Sequence, residues 1–364
     1  MTSDLYDQLA DALSARGGAV PVRKCDEFFA LLEELYAPED AELALAMPML
    51  PVTAQEVAAQ MGTDAREVEP GLERMAGKGL VFSKKRGDAT YYNLIVLLPG
   101  VFELQFMKGE VDDHARKLAR LFEDYFNVTR RPVAPGTPVA QLVPFARVIT
   151  VEREIPAGVE IHTFDRVSEY ITQSDYIGVS VCYCRHHGEL LGNPCTKPKD
   201  VCLAFGANAR YLIERGFARQ ITREEARDVL ERAEKAGLIH CSSNTSKRID
   251  FICNCCDCHC GIVKSFKDAA VPSMAALSSF VVAVEAGECV ACDACLERCQ
   301  IEALSMSGDA IVADEARCVG CGLCVSACPT GALRLELREG IAEPPPNWVA
   351  LNRAMIVSYT TKSD

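Results

Sequence analysis

The sequence lacks a long uninterrupted apolar run. Its most apolar stretch, residues 269–286, is interrupted by Pro272 and three serines and is shorter than the ~20 residues that a membrane helix needs. The first residues, MTSDLYDQLADALSARGG, carry acidic side chains and contain no apolar core of signal-peptide length. We therefore expect no transmembrane segment and a cytoplasmic location.

Positive charge and recognisable catalytic patterns are also scarce. The formal net charge is −13 at pH 7, which disfavours binding of the whole protein to nucleic acid or anionic lipid, because both attract positive surface. We find no Gly-rich phosphate or dinucleotide loop, no paired-carboxylate signature and no nucleophile–base pair. The sequence therefore predicts no catalytic residue, and it favours a carrier or an oxidoreductase subunit over a stand-alone enzyme.

Cysteine is almost absent from the first half of the chain and dense in the second. Of 19 cysteines, only Cys25 precedes residue 182, whereas ten lie between 182 and 260 and eight between 289 and 328. In a reducing cytoplasm such local clusters indicate metal ligands rather than disulfides. A chain of 364 residues, 49% hydrophobic and 24% charged, is long enough for two to four globular domains, and we expect three.

Residues 22–98 predict a winged-helix-like domain that follows an N-terminal helix or arm at residues 1–21. Thr53 and Glu56 have the spacing of a capping box and start its second helix. The third helix is expected over residues 64–76, followed by a hairpin wing. A domain of this kind usually suggests DNA binding.

The charge of this segment argues against DNA as a partner. Residues 22–100 contain eight Lys or Arg against thirteen Asp or Glu, a net charge of −5. Phosphates would be repelled by such a surface. We therefore expect the domain to dock a protein or to have a structural role.

In residues 99–138 we expect a helix at 112–126, followed by a Pro-rich linker. Residues 139–278 predict an α/β cysteine-rich metal-binding domain. Its expected elements are a helix near 164–173, a strand at 176–181, helices near 201–215 and 223–236, and an apolar strand ending at Ile239. The complete fold class is thus a multidomain α+β protein.

Two copies of one cysteine pattern occupy the third domain, residues 279–340. Residues 289–306 and 318–335 align with a constant offset of 29 and both read Cys-x-x-Cys-x-x-Cys-x-x-x-Cys. A short loop of this spacing lets three thiolates bind one cubane, while the fourth cysteine binds the other cluster. A zinc ribbon would use Cys-x-x-Cys pairs separated by a longer loop. The predicted ligand sets are Cys289, Cys292, Cys295 and Cys328 for one [4Fe-4S] cluster, and Cys318, Cys321, Cys324 and Cys299 for the other.

Residues 279–338 resemble the bacterial ferredoxins that hold two [4Fe-4S] clusters. The resemblance includes a strand, SFVVAVEAG, before the first quartet and another, ALRLEL, after the second. It implies one-electron transfer at low potential between redox protein partners. One departure is Gln300, which stands where the second quartet has Pro329, and we expect this change to loosen the corner without removing a ligand. More loosely, the whole chain resembles larger multidomain ferredoxins of anaerobic bacteria with an extra cysteine-rich region.

Nine cysteines of the middle domain form two runs that spacing alone does not assign. They are Cys182, Cys184, Cys195 and Cys202 in the first run, and Cys253, Cys255, Cys256, Cys258 and Cys260 in the second. If the second run is extended, alternation places Cys256, Cys258 and Cys260 opposite the other two cysteines and His259. The interpretation that we favour is one further [4Fe-4S] cluster, and the alternatives are two further centres or zinc.

Several residues near these runs have expected supporting roles. His186, His187, His240 and His259 are close in sequence to the cysteines, but we interpret them as hydrogen-bond donors rather than ligands. Residues 182–268 hold fourteen Lys or Arg against eleven Asp or Glu, a net of +3, whereas residues 279–340 hold four against ten, a net of −6. Arg185 and Lys197 are expected to stabilise the reduced form of the middle centre.

These observations predict an iron–sulfur electron-transfer protein with a relay of centres within one chain. The alternative is a redox-responsive winged-helix regulator whose clusters act as sensors. The tail, residues 341–364, contains the single tryptophan, Trp348, and is interpreted as an interaction peptide or a packed strap. The electron donor, the electron acceptor and the oligomeric state are not specified by the sequence.

Overall fold

The computed structural model describes residues 2–19, 22–129, 143–155, 167–247, 249–269 and 278–360. The chain is a mixture of helices and sheets and divides into two compact units. Unit 1 comprises residues 1–132, 186–194 and 210–218, and unit 2 comprises residues 133–185, 195–209 and 219–364. Most of the sequence predicted as the middle and third domains therefore lies within unit 2. The predicted Pro-rich linker lies outside the described residues.

Unit 1 is mainly helical and contains a small three-stranded sheet. Its elements are α1 (Thr2–Ala15), α2 (Asp26–Leu35), α3 (Pro38–Leu45), β1 (Val52–Thr53), α4 (Ala54–Met61), α5 (Ala65–Gly77), β2 (Val81–Arg86), β3 (Ala89–Leu94), α6 (Phe102–Phe106) and α7 (Asp113–Thr129). Both bonds of the predicted capping box are present, since Thr53 and Glu56 each accept from the other's backbone N–H. The predicted third helix is confirmed as α5, which buries Val68, Leu72 and Met75.

Unit 2 is organised by a six-stranded sheet in which every paired strand is antiparallel. Its strands are β4 (Ala146–Ile149), β5 (Ile177–Val181), β6 (Asp200–Phe205), β7 (Arg219–Gln220), β8 (Ile239–Ser243) and β9 (Phe251–Cys255), in the order β4-β8-β9-β6-β5-β7. Its helices are α8 (Val167–Gln173), α11 (Arg223–Lys235) and α12 (Gly261–Lys267). Two further helices, α9 (Tyr183–Leu190) and α10 (Gly206–Glu214), begin in unit 2 and end in unit 1.

Two predicted elements of this unit are wrong. Residues 201–205 form a strand, β6, rather than the first turns of a helix, and α10 begins only at Gly206. A short apolar run buried on both sides fits a central strand as well as a helix, and β6 pairs with β5 on one side and β9 on the other. The strand expected to end at Ile239 instead begins there, because pairing with β9 extends through Ser242.

The C-terminal part of unit 2 places the two cysteine quartets between paired strands. β10 (Phe280–Val284) and β13 (Leu333–Leu337) form an antiparallel pair without a register shift, which confirms both strands expected from the sequence. Helix α13 (Ala294–Arg298) and the hairpin of β11 (Leu304–Ser307) and β12 (Ala310–Ala313) lie between them. The ends of the two-quartet segment are thus held side by side.

The tail packs within unit 2. The backbone N–H groups of Ser246 and Lys247 donate to the carbonyls of Pro345 and Pro346. Helix α14 (Trp348–Thr360) then buries Leu351 and Met355 completely. These contacts support the interpretation of the tail as a packed strap. Among the helices of the described ranges, none combines the length and apolar character needed to cross a bilayer.

Candidate metal centres

The first predicted ligand set lines one cavity. Cys289, Cys292 and Cys295 reach it from the loop and first turn that follow β10, and Cys328 reaches it from the segment before β13. Ile311 and Leu333 contribute apolar side chains to the wall, and Asp293 and Thr330 also line it. Because β10 and β13 are paired, two cysteine segments that are distant in sequence meet at this cavity.

The second predicted set lines a separate cavity. Cys318, Cys321 and Cys324 surround it from the second loop, and Cys299 comes from the end of α13 in the first copy. Val282, Leu304 and Leu335 contribute apolar wall. In each copy the fourth cysteine therefore faces the cavity of the other copy, as the crossed assignment requires.

The two loops share an unusual backbone. Left-handed residues recur at the offset of 29 that relates the quartets, namely Ala291 and Gly320, Asp293 and Gly322, and Glu302 and Gly331. The second copy has glycine at all three positions, whereas the first has residues with a Cβ, for which this conformation is strained. The sequence did not reveal this correspondence because only one copy carries the glycines.

The environment of these thiols fits iron–sulfur clusters. Burial raises the pKa of Cys321 to about 12, and burial and neighbouring thiolates raise the pKa of Cys324 well above its ordinary value. Thiolates so placed need a compensating cation or cluster. Backbone N–H groups also donate to sulfur, from Val282 to Cys318 Sγ at 3.5 Å and from Ala303 to Cys299 Sγ at 3.2 Å. Four soft donors in an apolar cavity are a suitable ligand set for a [4Fe-4S] cluster.

The nine cysteines of the two middle runs separate into two groups. The larger group, called here the buried thiol set, is Cys182, Cys184, Cys202, Cys253, Cys255 and Cys260, all of which lie in one core. Thiols interact directly between Cys182 and Cys202, between Cys202 and Cys253, and between Cys184 and Cys260. Elements β6, β9 and the first turns of α9 and α12 bring them together.

Mutual contact perturbs these thiols strongly. The hydrogen bond with Cys260 and burial raise the pKa of Cys184 well above its ordinary value. Hydrogen bonds from Cys202 and Cys255 lower the pKa of Cys253 to about 6. Such mixed shifts arise when several ionisable thiols share one buried space. A metal centre would allow all of them to bind as thiolates.

Cys241 joins the buried thiol set, although it is not among the ligands predicted from the sequence. It is completely buried on β8, is paired in register with Cys253, and its thiol interacts with that of Cys255. In the sequence it stands between His240 and Ser242, outside both cysteine runs. Only the pairing of β8 with β9 reveals its neighbours.

The smaller group, called here the turn site, consists of Cys195, Cys256, Cys258 and His259. Their ligand atoms all lie within 4.8 Å of one another, and the sulfurs of Cys195 and Cys258 are 3.5 Å apart. The alternation expected for residues 253–260 is wrong. Strand β9 ends at Cys255 and a turn occupies residues 257–259. Cys260 therefore directly precedes α12 and belongs to the buried thiol set.

The other three histidines have different surroundings. In unit 1, Nε2 of His186 contacts the carbonyl of Glu110 and Nε2 of His187 contacts that of Ala119. In unit 2, His240 contacts the side chains of Asn254 and Glu234. Of these four histidines, His259 is the one that the structure places among thiols, and no feature of the sequence set it apart from the others.

Arg185 is a buried cation close to both cysteine groups. Its side chain is completely buried, and Nη1 donates to the carbonyl of Asn254 at 3.1 Å. Burial opposes its charge, but the thiols of Cys182, Cys202 and Cys256 outweigh this effect and raise its pKa. Lys197, which was expected to act similarly, instead directs its Nζ toward the carbonyl of Gly237 at 3.5 Å.

Gln300 anchors the corner that it was expected to loosen. Its Nε2 donates to the carbonyl of Gly237 and, at 3.4 Å, to that of Cys255, while its Oε1 accepts from the N–H of Asp257 at 2.6 Å. The expectation based on the missing proline is therefore wrong, because the side chain supplies contacts that proline cannot make. It links the first quartet to the turn that carries the turn site.

Comparison with known families supports the iron–sulfur interpretation of the C-terminal segment. A model of the 4Fe-4S binding domain matches residues 311–334, which include the four cysteines of the second quartet and exclude those of the first. Residues 311–334 thus form a ferredoxin-like iron–sulfur segment. No curated protein and no solved structure matches the chain.

Proposed function

We propose that this chain is an iron–sulfur electron-transfer protein, a carrier or an electron-transfer subunit of a redox enzyme, with two [4Fe-4S] clusters in the crossed ligand sets. The observation that carries the proposal is that two cavities are each lined by four cysteines drawn from both copies of the repeat. A bound cluster of this type would accept and release one electron. The chain supplies the thiolates, an apolar wall and N–H donors to sulfur.

The buried thiol set binds a third iron–sulfur cluster and continues the path within unit 2. The loop of the second quartet is hydrogen-bonded to the end of β4, through Thr150 to the carbonyl of Gly320 and through Val151 to that of Cys321. The Cys321 thiol is also close enough to Cys241 for the two to interact electrostatically. Arg185 stabilises added negative charge at this third centre, which favours its reduced form.

The metal content of the protein tests this proposal. Anaerobically isolated full-length protein is expected to contain at least about eight iron and eight acid-labile sulfide per chain from the two cubanes, and about twelve of each with the third cluster. Iron and sulfide assays, with electron paramagnetic resonance of the reduced protein, count the centres. Fewer than about six iron after reconstitution would contradict the two-cluster assignment.

The alternative of a DNA-binding regulator receives little support from unit 1. The cations of α5 and its C-terminal end are paired with carboxylates: Arg66 lies 3.0 Å from Asp64, and Arg74 and Lys78 lie 2.6 and 2.8 Å from Asp40. Hydrogen bonds from these two cations overcome the effect of burial and keep the pKa of Asp40 low. Each of these cations is already paired with a carboxylate before any phosphate approaches.

We expect no salt-dependent binding of the holoprotein to duplex DNA. Specific and nonspecific complexes need several neutralised phosphates and weaken steeply with salt. Fluorescence anisotropy with mixed-sequence duplexes at low and moderate salt measures this, and the oxidised and reduced proteins serve as a matched pair. Micromolar binding that weakens steeply with salt in either state would favour the regulator.

A further inference from the structure

We infer that the turn site, Cys195, Cys256, Cys258 and His259, binds a single zinc ion that is separate from the centre of the buried thiol set. The inference adds a second kind of metal to the middle region. It does not depend on the proposed electron-transfer function, because it rests on the geometry of four side chains outside the iron–sulfur cavities.

The spacing of the ligand atoms fits one tetrahedral ion. Ligands at about 2.0–2.3 Å from a zinc ion lie about 3.3–3.8 Å from one another. The four atoms here are all within 4.8 Å of each other, and two of the sulfurs are 3.5 Å apart. An iron–sulfur cubane separates its ligands further, because each thiolate binds a different iron. Within the described residues, the buried thiol set forms no comparably compact group.

The donor set also fits zinc. Three thiolates and one imidazole make a closed, four-coordinate structural site of the Cys₃His type. Three ligands come from the turn that follows β9, and Cys195 comes from the segment before β6. The ion would therefore join two segments about sixty residues apart, and a crosslink over such a long loop restricts the unfolded chain more than one within a short segment.

Neighbouring groups prepare the turn for this role. Three thiolates around a divalent ion leave a net negative charge, and the guanidinium of Arg185 interacts directly with the Cys256 thiol. The Oε1 atom of Gln300 accepts from the N–H of Asp257, between two of the ligands. Cys256 is buried while Cys258 is exposed, so the site is anchored on one side and accessible to an entering ion on the other.

Metal analysis of the full-length protein tests the inference. Protein isolated anaerobically from medium containing iron and zinc is expected to keep about one zinc per chain after dialysis against a chelator. The double variant Cys195→Ser, Cys258→Ser is expected to lose zinc by about tenfold or more and to retain its iron and sulfide. Cys25→Ser, a cysteine of unit 1, is the control and is expected to keep both metals.

Zinc K-edge absorption identifies the ligands and remains informative if the double variant folds poorly. The wild-type spectrum is expected to show three sulfurs and one nitrogen, and His259→Cys is expected to keep zinc with four sulfurs. Three results would each overturn the inference. They are absence of zinc in the wild type, loss of iron rather than zinc in the double variant, and an unchanged set of zinc ligands in His259→Cys. Zinc present in protein that lacks iron would contradict only the electron-transfer proposal.

Discussion

Replacing Cys292 and Cys328 together by serine is expected to remove about four iron per chain, whereas replacing Cys292 and Cys299 together is expected to remove about eight. Cys292 and Cys328 line the same cavity. Replacing Cys328 therefore damages only the cluster that the Cys292 substitution has already removed. Cys299 lines the other cavity, so the second pair disables both clusters. Serine has nearly the size of cysteine, but its hydroxyl is a much poorer ligand for this soft site.

The two double variants are matched, because each combines Cys292 with the fourth cysteine of one quartet. Iron and sulfide per chain are measured on anaerobically isolated protein, together with the three single variants, each of which is expected to lose about four iron. If each quartet instead held its own cluster, the variant with Cys292 and Cys328 replaced would lose about eight iron, and the variant with Cys292 and Cys299 replaced would lose about four. Equal losses in both double variants would mean that the module unfolds as a whole, which circular dichroism of the same samples would reveal.

The crossed ligand assignment is a prediction that the sequence alone supports, because both loops carry the same cysteine pattern. Each loop has the same cysteine spacing, and the spacing alone limits which thiolates can reach one cubane. The flanking strands, β10 and β13, were expected from the resemblance to bacterial ferredoxins and are confirmed. The structure adds the pairing of β10 with β13, which brings the two distant cysteine segments together.

The division of the middle cysteines was not accessible in the same way. It depends on the end of β9 at Cys255 and on the turn at residues 257–259, whereas alternation assumed an extended run. Cys241 is recruited only through the pairing of β8 with β9, and Cys195 comes from a segment about sixty residues away. Spacing within a run cannot report contacts that a sheet creates between runs.

The contrast between Gln300 and Pro329 shows how a repeat can mislead. Comparison of the two copies predicted a looser backbone at Gln300, because the proline of the second copy rigidifies the backbone after a ligand. The first copy, however, lies against the turn that carries Asp257, and the glutamine side chain is held there by three hydrogen bonds. Equivalent positions in a repeat therefore need not have equivalent neighbours.

Gly320→Ala is expected to lower the free energy of unfolding far more than Gly331→Ala. Both glycines have a left-handed backbone, with φ of 61° and 73°. Either alanine would add about 1 kcal/mol of backbone strain. At Gly320 the new Cβ would also overlap the carbonyl oxygen of Phe280 and the hydroxyl of Ser278, whereas nothing lies within 4 Å of a Cβ at Gly331. The overlap at Gly320 involves the backbone of β10, which cannot move without disturbing its pairing with β13.

We therefore expect Gly320→Ala to lower the free energy of unfolding by about 3 kcal/mol or more and to remove the cluster between Cys318 and Cys324, about four iron per chain. Gly331→Ala is expected to keep full iron content and to lose only about 1 kcal/mol. Anaerobic denaturant unfolding with iron analysis of the same samples measures both effects. Similar unfolding midpoints and iron contents for the two variants would show that the second loop does not pack against β10 in the way that makes glycine necessary at position 320.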